Sequence, residues 1–559
     1  METATDVEKS VQAARHAPVE SPIAGTPFEE LPYDAPKAEE TDGTSEDATP
    51  GIWTIVWLTT GLCMGIFCVA LDNTILATAI PKISLNFKTI SDVGWYGSVY
   101  FLTICSVTLL FGKLYTLYPL KWTFCAALFL FELGSLLCGV APTSTALIIG
   151  RAIAGLGSGG IFPGAVLIMS ETVPLEKRAL YNALITGMAG IAGVTGPLIG
   201  GAFTNHLTWR WCFYINLPCG AVTALAVLFS YHDKERSARS QLSWREKMGH
   251  LDLWGLFIFV PAIVCLFLPL QWAGTKYHWQ NARIIVLFIL FGVLIAVWAA
   301  IQRWKQERAT VPPRLIAMRN VWATAVYTVF FSGSYYVMAY YFPIWFQAVK
   351  GASAMSSGIM SIPMIAGISL CTLIGGIAVN MIGHYMPLMY LGTIILSIGC
   401  GMCSTLTATS GHPEWIGYQA LVGIGAGFGF NIPLIAVQAS LPPDDIATAT
   451  AIVMFAQNLS GALFIAIAQN LFQNRLVAAV VQYAPDVAPG DVIAAGAADL
   501  ASSFSPAVLP QLQEAYNAAT TQTFYLPVAG SALSILGAVF LEWLSVKREK
   551  TAKVPAVVH

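Results

Sequence analysis

Charge is scarce in this chain: Asp, Glu, Lys and Arg together make up 11% of its 559 residues, against roughly 25% in an ordinary soluble domain. That scarcity excludes a water-soluble globule. No Gly-x-x-x-x-Gly-Lys-Ser/Thr run is present to cradle a nucleotide's phosphates. ATP is therefore not the expected energy source, no cofactor is called for, and no constellation of residues supports an enzyme. The two juxtamembrane basic clusters are expected to face cytoplasmic lipid, which leaves nothing for a nucleic acid to bind. All eleven cysteines fall within or beside apolar runs, which argues against an extracellular disulfide framework. Cys400-Gly401-Met402-Cys403 has a redox or metal spacing, but inside a membrane helix it reads as small thiols packing between helices. Residues 1–50 lack the basic-then-apolar layout of a cleaved signal peptide. They are polar and acidic, and read as a disordered cytoplasmic tail.

What the chain does have is apolar length. Hydrophobic residues make up 56% of it, and runs of about 18 or more recur, each able to cross a hydrocarbon core about 30 Å thick. They predict fourteen membrane helices, near 52–74, 95–115, 122–141, 145–168, 180–203, 212–231, 252–272, 282–302, 321–347, 356–379, 386–408, 414–437, 446–471 and 523–545. The fold class is thus an all-α polytopic membrane protein. With the N-terminus inside, the cytoplasmic connections and C-terminal tail hold eighteen Lys and Arg, against seven outside. Positive charge favours the cytoplasmic side, and an even number of spans returns the C-terminus there. The expected organisation is a tail at 1–50, a six-helix bundle at 51–231, then basic loops and two inserted helices at 232–320. A second six-helix bundle follows at 321–545, carrying an outer loop at 473–522, and a cytoplasmic tail closes the chain at 546–559. The Pro and Ala content of that outer loop suggests short helices over the outer mouth.

Only Asp72, Glu132 and Arg151 place a carboxylate or guanidinium deep within these runs. A charge at the bilayer centre costs roughly 2.5–3.5 kcal/mol on insertion scales, so a chain that keeps such residues is expected to move protons or ions with them. Desolvation favours a protonated carboxylate and a nearby cation favours an ionised one. Asp72, tuned by Arg151, is the first choice as proton carrier and Glu132 the second. Neutralising Asp72 is expected to ease insertion and leave folding intact.

The second half of the chain repeats the first at an offset of 268 residues. Arg151-Ala-Ile-Ala-Gly155-Leu-Gly157-Ser-Gly159 aligns with Gln419-Ala-Leu-Val-Gly423-Ile-Gly425-Ala-Gly427, and Glu171-Thr-Val-Pro174 with Ala439-Ser-Leu-Pro442. Such repeats mark secondary transporters with a substrate site between two similar bundles. Arg151 becomes Gln419, and Asp72 has no acidic counterpart in span 9, so ion coupling is expected in the N-terminal bundle alone.

Gly155 and Gly159, and again Gly196 and Gly200, stand at i and i+4, a spacing that lets helices approach closely. In Gly196-Pro197-Leu198-Ile199-Gly200-Gly201 a proline frees a backbone carbonyl and permits a bend, so span 5 is expected to hinge or seal a pathway. Tyr336 and Tyr340 share one face of span 9. With Asn431, Gln438, Gln457 and Asn458 they are expected to line an aromatic cavity with a few polar points, suited to an amphipathic organic ligand. Helix–helix hydrogen bonds are an equal reading of those amides, and an interfacial belt is the reading of Trp345 and Phe346.

These segments resemble the major facilitator superfamily, and within it the fourteen-span drug:proton antiporter family. Leu71-Asp72-Asn73-Thr74-Ile75 through Ala79-Ile80-Pro81 matches that family's span 1 motif. Arg151 through Gly157 resembles its span 4 motif, and Gly196 through Gly201 its span 5 antiporter motif. Trp209-Arg210-Trp211-Cys212-Phe213-Tyr214-Ile215-Asn216-Leu217-Pro218-Cys219-Gly220 is similar to its entry into span 6. The likeness covers about residues 50–472 and is greatest to fungal pumps exporting secondary metabolites, such as the aflatoxin and HC-toxin efflux carriers. It implies the major facilitator fold and export of small hydrophobic organic molecules by proton antiport, with alternating access. The plasma membrane is the expected location, with the vacuolar membrane as alternative. The loop after span 2 departs from the family pattern: Thr116 stands where an acid is expected and Pro119 where a glycine is. On the residues alone, a facilitator or importer of a sugar or siderophore stays open, as does a non-transporting membrane sensor.

Overall fold

An apolar segment in lipid must satisfy its own backbone N–H and C=O groups, so each long run becomes a helix. The computed structural model describes residues 51–87, 92–233, 246–247, 249, 251–273, 277–497 and 500–546. The expected tails at 1–50 and beyond Val546 lie outside the described residues, as do the basic segment 234–245 and the side chain of Pro197. In chain order the long helices of the first bundle are α1 Ile52–Phe87, α2 Val93–Leu117, α3 Leu120–Val140, α4 Ser144–Thr172, α5 Leu175–His206 and α6 Trp211–Ser230. The inserted pair is α7 Leu253–Trp272 and α8 Ala282–Lys305. The second bundle is α9 Arg319–Lys350, α10 Met355–Ile382, α11 Met386–Cys403, α12 His412–Ser440, α13 Pro443–Tyr483 and α14 Leu509–Phe540. Among the described residues twelve of these are long and apolar enough to cross a membrane. α5 makes thirteen when its segments Lys177–Gly193 and Leu198–Thr204, bent by 43°, are counted as one span. α9 spans 32 residues but is less apolar, because tyrosines and hydroxyls occupy much of it. The end at which α1 begins is called the tail side below, and the opposite end the far side.

The sequence repeat reappears as a repeat of contacts. Cβ atoms on Gly155 and Gly159 would strike the backbone of α2 at Tyr100 and Ile104, and one on Gly157 would lie 2.3 Å from the Phe131 nitrogen in α3. In the second half, Gly423 and Gly427 press in the same way on α10 at Met364 and Ile368, while Gly425 lies against Leu396 of α11. Glycine at these positions lets α4 and α12 seat themselves between two neighbours at backbone distance.

α7 and α8 lie over the seam between the bundles. Phe259, Ile263 and Leu266 of α7 form one apolar cluster with Cys105 and Leu109 of α2 and Ile452 of α13. Polar contacts fasten the pair to both helices at both ends. On the far side Gln271 donates to Ser98 of α2 and Trp279 to Asn470 of α13. On the tail side Lys113 of α2 donates to the carbonyls of Glu307 and Ala309, both at 2.9 Å. Arg314 holds both carboxyl oxygens of Asp445, at 2.9 and 3.0 Å, at the start of α13.

The helices run further into 473–522 than apolar content foretells. α13 continues to Tyr483 and the polar helix Leu509–Thr523 opens α14, leaving Pro489–Ala495 and Leu500–Ser503 as short helices between them. This polar helix corrects the reading of Trp345 and Phe346 as an interfacial belt. Both are fully buried. Trp345 Nε1 donates to Asn517 Oδ1 at 2.8 Å, and Phe346 packs edge-on against Trp415.

Candidate functional site

Asp72 of α1 and Arg151 of α4 form an ion pair through Oδ2 and Nη1, with both side chains wholly buried. A buried charge needs a partner and further hydrogen bonds to be tolerated, and the surrounding residues supply them. Arg151 Nε donates to the Tyr96 carbonyl at 2.8 Å, and its guanidinium lies 4.2 Å from the centre of the Tyr100 ring. The Tyr100 hydroxyl donates in turn to Ser158 at 2.8 Å. Asn216 of α6 donates to Asp72 Oδ1 at 3.4 Å and to Ser135 of α3 at 3.1 Å. Four helices thus converge on one ion pair. Arg151 Nη2 and Asn216 Oδ1 have no partner among the described residues, so the site is incompletely satisfied.

Gln419, the repeat partner of Arg151, is also fully buried, and its Nε2 donates to the Met360 carbonyl of α10 at 3.1 Å. The two halves therefore share one task, tying the fourth helix of the bundle to a backbone carbonyl of the second. Only the N-terminal half adds a charge pair to it.

Glu132 of α3 points inward. Its carboxyl lies across Gly220 of α6, where a Cβ would come within 1.8 Å of Oε1, and both its oxygens are buried without a partner among the described residues.

The polar residues expected to meet a ligand divide into two groups. Tyr336 stacks edge-on with Phe430 at 6.0 Å and covers Gly461, one turn along α13 from Gln457 and Asn458. Gln457 is buried and Asn458 half-buried. Asn431 accepts from Thr186 of α5 at 2.9 Å, a bond between the bundles, and its Nδ2 has no partner among the described residues, nor has either amide atom of Gln438. Tyr340 instead lines a cavity of about 360 Å³ on the far side, with Gln347, Gln469, Gln473 and Phe472. Asn182 and Thr450 carry no such sequence signal, yet both amide atoms of Asn182 and the hydroxyl of Thr450 are buried without a partner among the described residues. An isolated Asn or Thr in an apolar run carries no periodic signal. Asn216 did carry one, because it stands inside the motif that opens α6.

Gly155 and Gly159 pack on α2, as described, and Gly196 abuts Thr74 of α1, whose hydroxyl donates to the Ala192 carbonyl at 3.0 Å. Gly200 accepts from Thr204, and Gly201 faces open space. The 43° bend of α5 falls across residues 194–197, beside the motif. On the tail side the bundles touch through backbone: Gly376 of α10 lies against the Ala179 carbonyl, and Gly112 of α2 against Ala447 and Thr448 of α13. Thr116 meets Thr448 there, hydroxyl to hydroxyl at 3.5 Å.

Two pseudo-repeated helical bundles, the first of them holding a buried ion pair, are the architecture of a secondary membrane transporter. The model of the Major Facilitator Superfamily matches residues 62–465, and the chain belongs to that superfamily: it is a multi-pass membrane transporter and not an enzyme. It is 48% identical over 533 residues to the efflux pump roqT of Penicillium rubens, covering 95% of this chain and 98% of that one. It is 50% identical over 494 residues to the MFS-type efflux pump MFS1 of Trichophyton rubrum, covering 88% and 92%. Its fold is similar to that of the proton:xylose symporter XylE, with a TM-score of 0.55 at 11% identity over 87% of this chain and 95% of that one.

Proposed function

We propose that this transporter exports small, largely hydrophobic organic molecules, secondary metabolites or toxins among them, in exchange for protons. The observation that carries the reading is the Asp72–Arg151 pair, a titratable carboxylate held by a permanent cation inside the N-terminal bundle. A proton arriving at Asp72 abolishes its attraction for Arg151, which frees the guanidinium and loosens the junction of α1, α2, α4 and α6. The names of the relatives, efflux pumps of filamentous fungi, support the outward direction.

In this reading the ligand sits between the bundles against Tyr336, Asn431, Gln438, Gln457 and Asn458, and Asn182 and Thr450 offer it further polar atoms. Tyr340 and its far-side cavity receive it on the way out. Contacts of α5 with α10 and of α2 with α13 close the tail side, which we assign to the cytoplasm, and α5 bends at Gly196–Gly201 when access alternates. The energy source is the proton gradient of the plasma membrane, without ATP or a bound cofactor. Vesicles carrying the protein, loaded with a hydrophobic fluorescent substrate, test this reading. Transport should accelerate at least tenfold when a pH gradient is imposed, and a rate indifferent to the gradient would leave facilitation in its place.

A further inference from the structure

Three of the helices in the Asp72 network, α1, α3 and α6, each place a second residue one turn away in the same direction. On α1 Cys68 precedes Asp72 by four residues; on α3 Glu132 precedes Ser135 by three; on α6 Gly220 follows Asn216 by four. Allowing for the opposite run of α6, all three steps lead toward the tail side, about 5.4 Å per turn. The upper layer is a closed set of bonds, with Asn216 joining Asp72 to Ser135. The lower layer holds Glu132, lying across the bare Gly220, with both carboxyl oxygens buried and without a partner among the described residues. The titratable groups facing it are Cys219 of α6 and, on α1, Asp72 and Cys68. The one cation of α4 nearby, Arg151, is engaged by Asp72. Another turn on, Thr223 donates to the Gly61 carbonyl at 2.9 Å, so a hydroxyl continues the line toward the tail side.

An ionised carboxylate without a partner is far costlier to bury than the neutral acid. The two acids are therefore not equivalent: Asp72 faces the Arg151 guanidinium, whereas Glu132 has no cation against it among the described residues, and its neutral form is the less costly one to bury. We propose that Glu132 is a second proton-binding site, the station that takes the proton from Asp72 on its way to the tail side. This deepens the proton-coupled reading and rests on it. The transfer moves one proton from the Asp72 carboxyl to a Glu132 carboxylate that has emptied toward the tail side. Asp72 regains its negative charge and its bond to Arg151, and Glu132 is left neutral. Gly220 is a positioning residue, since any side chain there would displace the carboxyl.

The test measures proton movement with a pH-sensitive dye in vesicles, alongside substrate export, for wild type, Glu132→Gln, Glu132→Asp and Gly220→Ala. Glu132→Gln should lower gradient-driven export and proton movement at least tenfold, and Glu132→Asp, which restores a titratable acid, should recover part of both. Gly220→Ala should shift the pH profile of export while keeping the acid. Proton movement by Glu132→Gln within twofold of wild type would overturn this proposal and leave Asp72 as the proton carrier. Equal loss in Glu132→Gln and Glu132→Asp would overturn it too, by showing a structural need for the longer side chain. A wild type indifferent to the gradient would remove both readings together.

Discussion

At the residue scale, the ion pair reverses one expectation drawn from the sequence. Taken alone, Asp72 is a costly charge whose neutralisation should ease folding. Paired with Arg151, its removal strands a guanidinium that cannot shed its proton, and breaking a buried pair this way costs about 3–5 kcal/mol. Arg151→Gln should cost less, because the abandoned Asp72 takes up a proton and keeps its bond from Asn216, while glutamine can still reach the Tyr96 carbonyl as Gln419 reaches Met360. Thermal unfolding in detergent should therefore rank Asp72→Asn below Arg151→Gln, with the double variant Asp72→Asn/Arg151→Gln the most stable of the three. An Asp72→Asn protein as stable as wild type would contradict the pairing. Asp72 and Arg151 were legible because charges in apolar runs are rare. The inward aim of Glu132 was not, since α3 is apolar on every face and offers no periodicity to orient it. Ser135 acquires meaning only when α3 and α6 meet at Asp72, where it accepts from Asn216.

At the scale of elements, the glycines separate into two kinds. Gly157 is pressed on the α3 backbone, where an added methyl group has no flexible neighbour to displace. Gly157→Ala should cost about 1–3 kcal/mol as overpacking and lower the yield of folded protein. Gly201 faces open space, so Gly201→Ala should stabilise α5 by up to about 1 kcal/mol through helix propensity. If the bend of α5 serves transport, that variant should also turn over more slowly; an unchanged rate would leave the glycine a packing residue.

The inserted pair makes a second element-scale case. Asp252 caps α7 through the Gly255 N–H at 2.8 Å and binds Gln302 at 2.5 Å and Lys305 at 2.8 Å of α8. Burial alone would push its carboxyl up, but the bonds from Lys305, Gln302 and Gly255 hold it below the usual value of 3.8. A depressed carboxylate contributes stability that is present above its unfolded value and lost as pH falls through the folded one. The stability gap between wild type and Asp252→Asn should thus be constant from about pH 5 to pH 8 and close only below about pH 4. A gap that narrows near neutrality would contradict this assignment. The sequence announced two inserted helices by their length; it did not say that they clasp α2 and α13, because contacts from Lys113 to 307–309 and from Arg314 to Asp445 join positions far apart in the chain.

At the scale of the whole molecule, the glycine repeat reappears in the packing of α4 and α12 between equivalent neighbours, and one of the charges missing from its second copy, Arg151 against Gln419, marks the bundle that holds the ion pair. The polar opening of α14 went unread, as a helix without an apolar run leaves no such trace. Orientation remains a matter of lysines and arginines. Epitope tags before Thr44 and after His559 should be protected in intact cells, whereas one near Gly496 should be reachable from outside; external labelling of the C-terminal tag would mean an odd number of spans.

The central claim is that the Asp72–Arg151 pair couples substrate to protons rather than merely holding four helices together. The charge-free variant Asp72→Asn/Arg151→Gln, compared with wild type in the same vesicles for gradient-driven export and for substrate–substrate exchange without a gradient, tests it most directly. The account predicts that gradient-driven export falls at least a hundredfold while exchange continues. Gradient-driven export at the wild-type rate would contradict it.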